Sequence, residues 1–294
     1  MANARASRGA ADASAPGSHV PELVVSGPDS ASSVTLAEDA ESQFWRDKWG
    51  HVVGRAFVES DVHFVEFERI GRFSFRPGSA QVWVEPHPGA PEQLIVEVYH
   101  RWVLPVAVQV LGPEVLHASG VLTPDGVVGF CAASESGKST LAYGLSQRGF
   151  RLYADDALAF EIEGERARAL PLPFSLRLRP SSAAYFDLGH DRYEAAHETV
   201  GQEAPIQTIF LLRRGEGSKA TARRVEPLEA LPDLLAQSYH FGGEPPARKR
   251  RMLESYLALV TATPLYDLHL PTGVENLPAI LDEATSVLAD LRGA

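Results

Sequence analysis

The stretch Val127-Val128-Gly129-Phe130-Cys131-Ala132-Ala133-Ser134-Glu135-Ser136-Gly137-Lys138-Ser139-Thr140-Leu141 decides the fold class. Residues 127–131 form a short apolar run, which predicts a buried strand. Residues 138–148 carry Leu141 and Leu145 four positions apart and stop before Gly149, a spacing that predicts a helix. A strand, a Gly/Ser loop and a helix in this order are typical of a phosphate-binding loop.

The loop at residues 132–139 fits that pattern with Ala132 in place of the usual first glycine. Such a loop points backbone N–H groups at a phosphate, and the following helix adds its positive N-terminal end. Lys138 would reach the β- and γ-phosphates, and the Ser139 hydroxyl is placed to bind Mg²⁺. The candidate nucleotide-binding residues are Ala132, Ala133, Ser134, Glu135, Ser136, Gly137, Lys138, Ser139 and Thr140. The alternative is a surface turn with a solvated lysine.

Two adjacent carboxylates, Asp155 and Asp156, follow a predicted strand at residues 150–154. In a parallel sheet this end of the strand faces the same crevice as the phosphate-binding loop. One carboxylate could hold Mg²⁺ while the other accepts the proton of an attacking hydroxyl group. The alternative is a pair of aspartates that only caps a helix.

Composition restricts the class of protein. The chain has 294 residues and a formal net charge of −11, which argues against a general nucleic-acid-binding protein. Its single cysteine, Cys131, cannot form an internal disulfide, as expected in a reducing cytosol. The sequence shows no secretory signal, and we expect no membrane-spanning helix, a disordered tail over residues 1–32 and a cytoplasmic location.

The remaining pattern predicts an α/β protein with two parts. Residues 33–113 read as a β-rich N-terminal subdomain that includes a strand at 94–98, followed by a buried helix at 99–111 that Pro105 puts in question. Residues 114–294 alternate short apolar runs with helices, which predicts a parallel sheet with crossover helices. Within this part we expect a hairpin joining 206–212 to 221–225 around residues 215–217, and helices starting near 227, 248 and 278.

His117 lies between two apolar pairs just before the predicted strand of the loop. It is either a hydrogen-bonded core histidine, which composition favours, or a group that orients substrate or a carboxylate near the phosphates.

Residues 117–156 resemble the bacterial HPr serine kinase/phosphorylase family and its smaller relatives. The resemblance rests on His117, the loop ending in Gly137-Lys138-Ser139-Thr140-Leu141, Arg148-Gly149, and Ala154-Asp155-Asp156. It implies a P-loop kinase core related to phosphoenolpyruvate carboxykinase, with ATP and Mg²⁺ as cofactors. It also implies that Lys138 and Ser139 serve phosphates and metal, Asp155 acts as base, Asp156 is the metal partner, and His117 supports the catalytic site.

The glutamate-bearing signature that follows the acidic pair in full-length HPr kinases has no counterpart here. Residues 170–180 instead resemble those of HPr-kinase-related proteins found with peptide-modifying gene clusters. Arg177 and Arg179 alternate on a predicted strand, so both could face one cleft and contact phosphate or an acidic acceptor, or could lie on a solvated face. The basic run Arg248-Lys249-Arg250-Arg251 could likewise dock an acidic peptide or be a solvated helix start.

The sequence thus predicts an ATP- and Mg²⁺-dependent kinase that phosphorylates a serine-like hydroxyl group of a peptide or protein. The alternatives are a small-molecule kinase of the shikimate or gluconate kinase type and a nucleotide-binding regulatory module without catalysis. We expect no nucleic-acid or membrane partner, and the resemblance makes a homo-oligomer plausible.

Overall fold

The computed structural model of the chain describes residues 20–25, 43–46, 50–197, 202–215, 219–239 and 245–293. The first sheet has six strands in the order β1-β6-β5-β4-β3-β2. Its strands are β1 (Glu22–Val25), β2 (Gln43–Arg46), β3 (Val52–Glu59), β4 (Val62–Phe67), β5 (Gly71–Phe75) and β6 (Gln81–Pro86). The expected disordered tail is therefore wrong at β1, which pairs in parallel with β6.

A helical segment of three parts follows this sheet. It comprises α1 (Glu92–Val98), a π-helical turn (Tyr99–Val103) and α2 (Leu104–Leu111). The predicted strand at 94–98 is wrong, because Ile95 and Val98 are three residues apart and share the buried face of a helix. Pro105 lies inside this segment, two residues after the π-helical turn, and the predicted helix at 99–111 continues through it with that local change of helix type.

The same helical segment, Glu92–Leu111, is 20 residues long with a mean hydropathy of 1.4, so it is long and apolar enough to cross a membrane. That outcome departs from the expectation of no such helix. However, 56% of the window is buried inside the protein, as in the core helix of a soluble protein. Length and composition alone are weak grounds for a membrane span.

The rest of the chain builds a larger mixed sheet and its covering helices. Strands β13 (Phe174–Leu178) and β14 (Tyr193–His197) pair with each other in a separate two-stranded antiparallel sheet. The strands of the larger sheet are β7 (Glu114–Leu116), β8 (Ala118–Thr123), β9 (Gly126–Cys131), β10 (Arg151–Ala154), β11 (Leu158–Glu163), β12 (Arg166–Leu170), β15 (Ala204–Arg214), β16 (Thr221–Val225) and β17 (Leu265–Leu270). Its helices are α3 (Lys138–Ser146), α4 (Pro180–Tyr185), α5 (Pro227–Ala236), α6 (Pro246–Ala262) and α7 (Leu277–Gly293).

The strand order of the larger sheet is β10-β8-β9-β15-β12-β11-β7, with β17 beside β15 and β16 beside β17. The expected parallel sheet is only partly right: β9, β15 and β17 are parallel, but β8 runs antiparallel between β9 and β10. The β8–β9 connection is too short for the crossover that parallel pairing requires. The expected hairpin of β15 and β16 is wrong, because β17 lies between them. Part of its predicted turn, residues 216 and 217, lies outside the described residues.

Helices cover both faces of the larger sheet. Leu141 of α3 and Ile280 of α7 pack with Phe130 and Phe210 in one apolar cluster. Leu234 of α5 and Leu259 of α6 belong to another cluster, which includes residues of β9 and β15. The helical segment packs in a third cluster that joins residues of the first sheet to Val115, Ala159 and Leu170. The predicted domain boundary at 113 therefore crosses a shared core.

Candidate functional site

The loop between β9 and α3 connects a strand to a helix in the order that the sequence predicts. Strand β9 ends at Cys131 and α3 begins at Lys138, as expected. Glu135 and Gly137 both have positive φ angles, 71° and 103°. Such angles let a short loop fold back over the start of the helix, and glycine adopts them without the Cβ penalty. Around the loop, Arg214 at the end of β15 donates from Nε to the Ser136 carbonyl oxygen at 3.2 Å.

Lys138 points into the loop that precedes it. Its Nζ donates to the carbonyl oxygens of Ala132 and Ala133 at 2.9 and 3.2 Å. Burial lowers the pKa of Lys138, and the carboxylates of Asp156 and Asp155 oppose that shift. The ammonium group is therefore held at the loop by backbone dipoles and nearby negative charge.

His117 connects the lysine to the acidic pair. Its Nδ1 lies 3.0 Å from the carbonyl oxygen of Asp156, which can only accept, so Nδ1 carries the proton. Its Nε2 then accepts from Lys138 Nζ at 3.0 Å. Burial and the charge of Lys138 lower the pKa of His117, which favours this neutral form. Ser134 Oγ lies 3.5 Å from the same Nε2.

Asp155 is buried, with 4% of its surface exposed, and both of its carboxylate oxygens accept hydrogen bonds. Its Oδ1 accepts from Ser139 Oγ at 2.7 Å and from Ser119 Oγ at 2.6 Å, and its Oδ2 accepts from the Arg177 backbone N–H at 3.1 Å. Burial and the charge of Asp156 raise the pKa of Asp155 to about 6, although these hydrogen bonds act in the opposite direction.

Asp156 has different surroundings, although it is the next residue. It has a positive φ of 62°, and its backbone carbonyl accepts from both His117 and the Tyr239 hydroxyl, the latter at 3.0 Å. Its side chain is 32% exposed and lies 3.8 Å from Arg101 Nε. The backbone of Asp156 is fixed by side chains, while its carboxylate faces open space.

Two cavities meet at Asp156 and Arg101, which line both of them. The larger, of about 570 Å³, also includes Asp155, Arg177 and Phe174 in its wall. The smaller, of about 290 Å³, reaches His117, Ser134 and Tyr239. A third cavity, of about 270 Å³, lies on the other side of the loop; its wall includes Gly137, Thr140, Ser182, Arg214 and Leu277. Thr140 Oγ1 and Ser182 Oγ are hydrogen-bonded at 2.8 Å beside it.

The two arginines predicted to share a strand face lie apart. Arg177 is on β13 and donates to Glu97 and Glu194 at 2.5 and 2.7 Å, in the wall of the larger cavity. Arg179 follows the strand as the N-cap of α4 and pairs with Glu135 of the loop. Strand β13 ends at Leu178, and Pro180 begins α4 directly after Arg179. The two arginines therefore do not share a strand face.

The basic run at the start of α6 is not one exposed patch. Arg248 is buried and forms an ion pair with Glu114, with N–O distances of 2.5 and 2.9 Å. Arg250 pairs with Glu254 along the helix. Lys249 and Arg251 are exposed. Neither alternative, peptide docking or a solvated helix start, therefore holds for Arg248, whose charge is neutralised in the interior.

Sequence reasoning missed four residues of this site: Ser119, Arg101, Tyr239 and Arg214. Ser119 lies two residues after His117 on the start of a strand, so strand periodicity puts it on the same face and could have suggested it. Arg101 is the single arginine within the apolar run of the helical segment, which is also a signal. Tyr239 and Arg214 reach the site through tertiary packing alone.

The donor set at the start of α3 suits a polyphosphate with Mg²⁺. Ser139 and the acidic pair supply the oxygen ligands that Mg²⁺ prefers, and the ion is usually completed by substrate phosphates and water. Within the described residues, no group of three or more His, Cys, Asp or Glu side chains could hold a metal ion by itself. Lys138 and the helix start offer positive charge to phosphate.

No protein family model matches the chain, and no curated protein sequence matches it. One solved structure to which it is similar is the Hpr(Ser) kinase/phosphatase from Coxiella burnetii. The identity is 12% and the TM-score is 0.34, over 60% of this chain and 98% of that chain.

Proposed function

We propose that the chain is an ATP- and Mg²⁺-dependent kinase that transfers the γ-phosphate to a serine-like hydroxyl group of a peptide or protein. The observation that carries the proposal is the hydrogen bond from Ser139 Oγ to the buried carboxylate of Asp155 at 2.7 Å. A serine at the start of the helix, paired with a carboxylate from a neighbouring strand, is the arrangement that holds Mg²⁺ in P-loop enzymes.

In this proposal residues 132–140 hold the triphosphate. Lys138 exchanges its bonds to the Ala132 and Ala133 carbonyls for the phosphates, and His117 stays behind it as a positioning residue. The cavity at Thr140 and Leu277 offers an apolar wall with hydroxyl groups and Arg214 at its edge, which suits a base and ribose.

The geometry favours a division of roles opposite to the one that the resemblance implies. Asp155 is bonded to Ser139 and Ser119, so we assign it to Mg²⁺ together with Ser139. Bound Mg²⁺ would neutralise charge that develops on the phosphates. Asp156 has an exposed carboxylate in the larger cavity, so we assign it as the base that takes the proton of the acceptor hydroxyl.

A small-molecule acceptor is a second candidate. The larger cavity of about 570 Å³ lies within the size range of small-molecule sites, roughly 300–1,000 Å³. Its wall combines Phe174, Leu172 and Val96 with charged groups, so a compact alcohol would have both apolar and polar contacts. A peptide serine would enter the same cavity with its side chain.

The test is transfer of labelled γ-phosphate from ATP in a lysate of the source organism, with products separated by mass. We compare wild type with Lys138→Ala, Asp156→Asn and the control Arg76→Ala, which removes an exposed arginine after β5. A peptide or protein labelled by wild type and by the control alone supports the proposal. A labelled metabolite replaces it with the small-molecule kinase. Binding of Mg·ATP without any labelled product replaces it with a nucleotide-binding regulatory module.

A further inference from the structure

Arg101 occupies a special position in the wall between two cavities. It lies in the π-helical turn Tyr99–Val103, within a helical segment that is otherwise largely apolar. Among the residues that line the larger and the smaller cavity, it is the cation common to both. π-Helical turns are rare and occur often at functional sites, because they redirect side chains.

Stability does not account for Arg101. Its nearest carboxylate, on Asp156, is 3.8 Å from Nε, and the two side chains are 35% and 32% exposed. An ion pair at this distance and exposure adds little to folding stability. By contrast, Arg177 in the same cavity is 11% exposed and binds two glutamates. Arg177 is occupied, whereas the guanidinium of Arg101 keeps donors that face open space.

The location of Arg101 matches the path between nucleotide and acceptor. The smaller cavity reaches Ser134 of the loop, and the larger cavity contains the proposed base Asp156. The guanidinium carbon is 5.0 Å from the centroid of the Trp102 ring, so a cation–π contact supports it from one side. Its open side faces the region where both cavities meet.

We propose that Arg101 is a catalytic residue that binds the phosphoryl group during its transfer, an inference that rests on the proposed kinase function. In that reaction the bond from the γ-phosphorus to the β–γ bridging oxygen breaks, and ADP leaves with the electron pair. A bond from the acceptor oxygen to the same phosphorus forms, and the acceptor proton passes to the Asp156 carboxylate. Arg101 stabilises the negative charge on the transferring oxygens, from a helix outside the larger sheet.

Arg101 lies far from the phosphate-binding loop in the sequence. Arg101 is more than thirty residues before the loop and belongs to the helical segment that packs on the first sheet. A complete site therefore requires both sheets. An arginine supplied in this way typically raises the rate of phosphoryl transfer by a factor on the order of 10³–10⁵.

The experiment measures calorimetric binding of Mg·ADP with and without aluminium fluoride, which mimics the phosphoryl group in transfer. The variants are Arg101→Ala and Arg101→Lys, with the exposed Arg76→Ala as control. We expect aluminium fluoride to tighten the binding of Mg·ADP to wild type and to Arg76→Ala by about 100-fold or more. Arg101→Ala should bind Mg·ADP like wild type but lose that gain. Arg101→Lys should keep a part of it, because lysine supplies charge without the fork of donors.

Methylguanidinium added to Arg101→Ala should restore part of the fluoride-dependent gain, which a merely structural role would not allow. The role of Arg101 is overturned if Arg101→Ala retains the full gain, or if it weakens both complexes equally. The role of Arg101 is also overturned if aluminium fluoride does not tighten the binding of Mg·ADP to wild type. Absence of Mg·ADP binding to wild type, by contrast, overturns the kinase proposal and the Arg101 inference together.

Discussion

Asp155 and Asp156 are adjacent in the chain but differ in burial, partners and conformation. Asp155 is 4% exposed and accepts three hydrogen bonds, whereas the side chain of Asp156 is 32% exposed. The positive φ of Asp156 turns the chain, so the two carboxylates leave the end of β10 in different directions. This difference is the basis of the proposed division of roles, with Asp155 beside Mg²⁺ and Asp156 as the base.

The raised pKa of Asp155 predicts a pH effect on stability. Its pKa is raised from 3.8 to about 6 in the folded protein. Between these values the unfolded chain loses the proton first, so the stabilisation present below the unfolded pKa is lost as pH rises through the folded pKa. Asp155→Asn has no such proton to lose. Its free energy of unfolding should therefore fall less than that of wild type from pH 4 to 7, by up to about 3 kcal/mol.

Urea unfolding at both pH values measures this difference. Asp191→Asn, which removes an exposed carboxylate, serves as the control and should behave like wild type. The same change in unfolding free energy for wild type and Asp155→Asn would show that Asp155 is not protonated in the native state near pH 5.

Residues of the candidate site were predictable where they are close in sequence. Lys138 and Ser139 follow from the loop pattern, and the acidic pair follows from its place after a strand. Arg101 stood out as the single arginine of an apolar run, but its position beside Asp156 depends on the packing of the helical segment. Tyr239 carried no such signal, because it reaches the site from the end of α5 through tertiary packing. No sequence pattern specifies which aspartate faces Ser139, and the structure shows that it is Asp155.

For individual helices and strands, prediction from the sequence has the same limit, because positions set by tertiary packing leave no local pattern. The helices α3, α5, α6 and α7 were predicted near their observed positions from apolar spacing and from prolines at their starts. The segment at 94–98 was predicted as a strand because its five residues fit both the two-residue period of a strand and the 3.6-residue period of a helix. Pairing was the weaker part: β17 inserts between β15 and β16 although it comes forty residues later in the chain than β16.

The buried ion pair of Arg248 and Glu114 connects α6 to β7. The side chain of Glu114 is 4% exposed, so its charge depends on the arginine. Arg248→Ala should lower the free energy of unfolding by about 3–5 kcal/mol, since it leaves a buried carboxylate unpaired. Arg248→Met combined with Glu114→Gln should recover part of this loss, because no charge is then buried alone.

Chemical unfolding at pH 7 checks this prediction, with Lys249→Ala as the control. Lys249 is exposed next to Arg248, so its removal should change the unfolding free energy by less than about 0.5 kcal/mol. A loss in Arg248→Ala no larger than in the control would show that the pair does not hold α6 in place.

The two sheets act as one body in the whole molecule. The helical segment packs between them, and its apolar cluster contains Phe73 and Val84 from the first sheet with Val115 and Leu170 from the second. Division at 113 would expose buried apolar surface on both parts, and each fully buried side chain contributes roughly 1.5–3 kcal/mol.

Residues 114–294 expressed alone should therefore lack a cooperative unfolding transition. Thermal unfolding followed by circular dichroism, compared with the full chain, measures this. The shared core is our reason, because Val115 and Leu170 would lose their partners from the first sheet. A sharp transition near that of the full chain would mean that the residues after 113 form an independent domain.

The central claim is that residues 132–139 bind nucleotide phosphates with Mg²⁺. Calorimetric titration of Mg·ATP into wild type, Lys138→Ala and Lys249→Ala tests it most directly. We expect wild type and Lys249→Ala to bind with equal affinity, binding to depend on Mg²⁺, and Lys138→Ala to lose at least about tenfold, the effect of one charge-assisted contact. Equal binding by all three proteins, or no binding by wild type, would contradict the account.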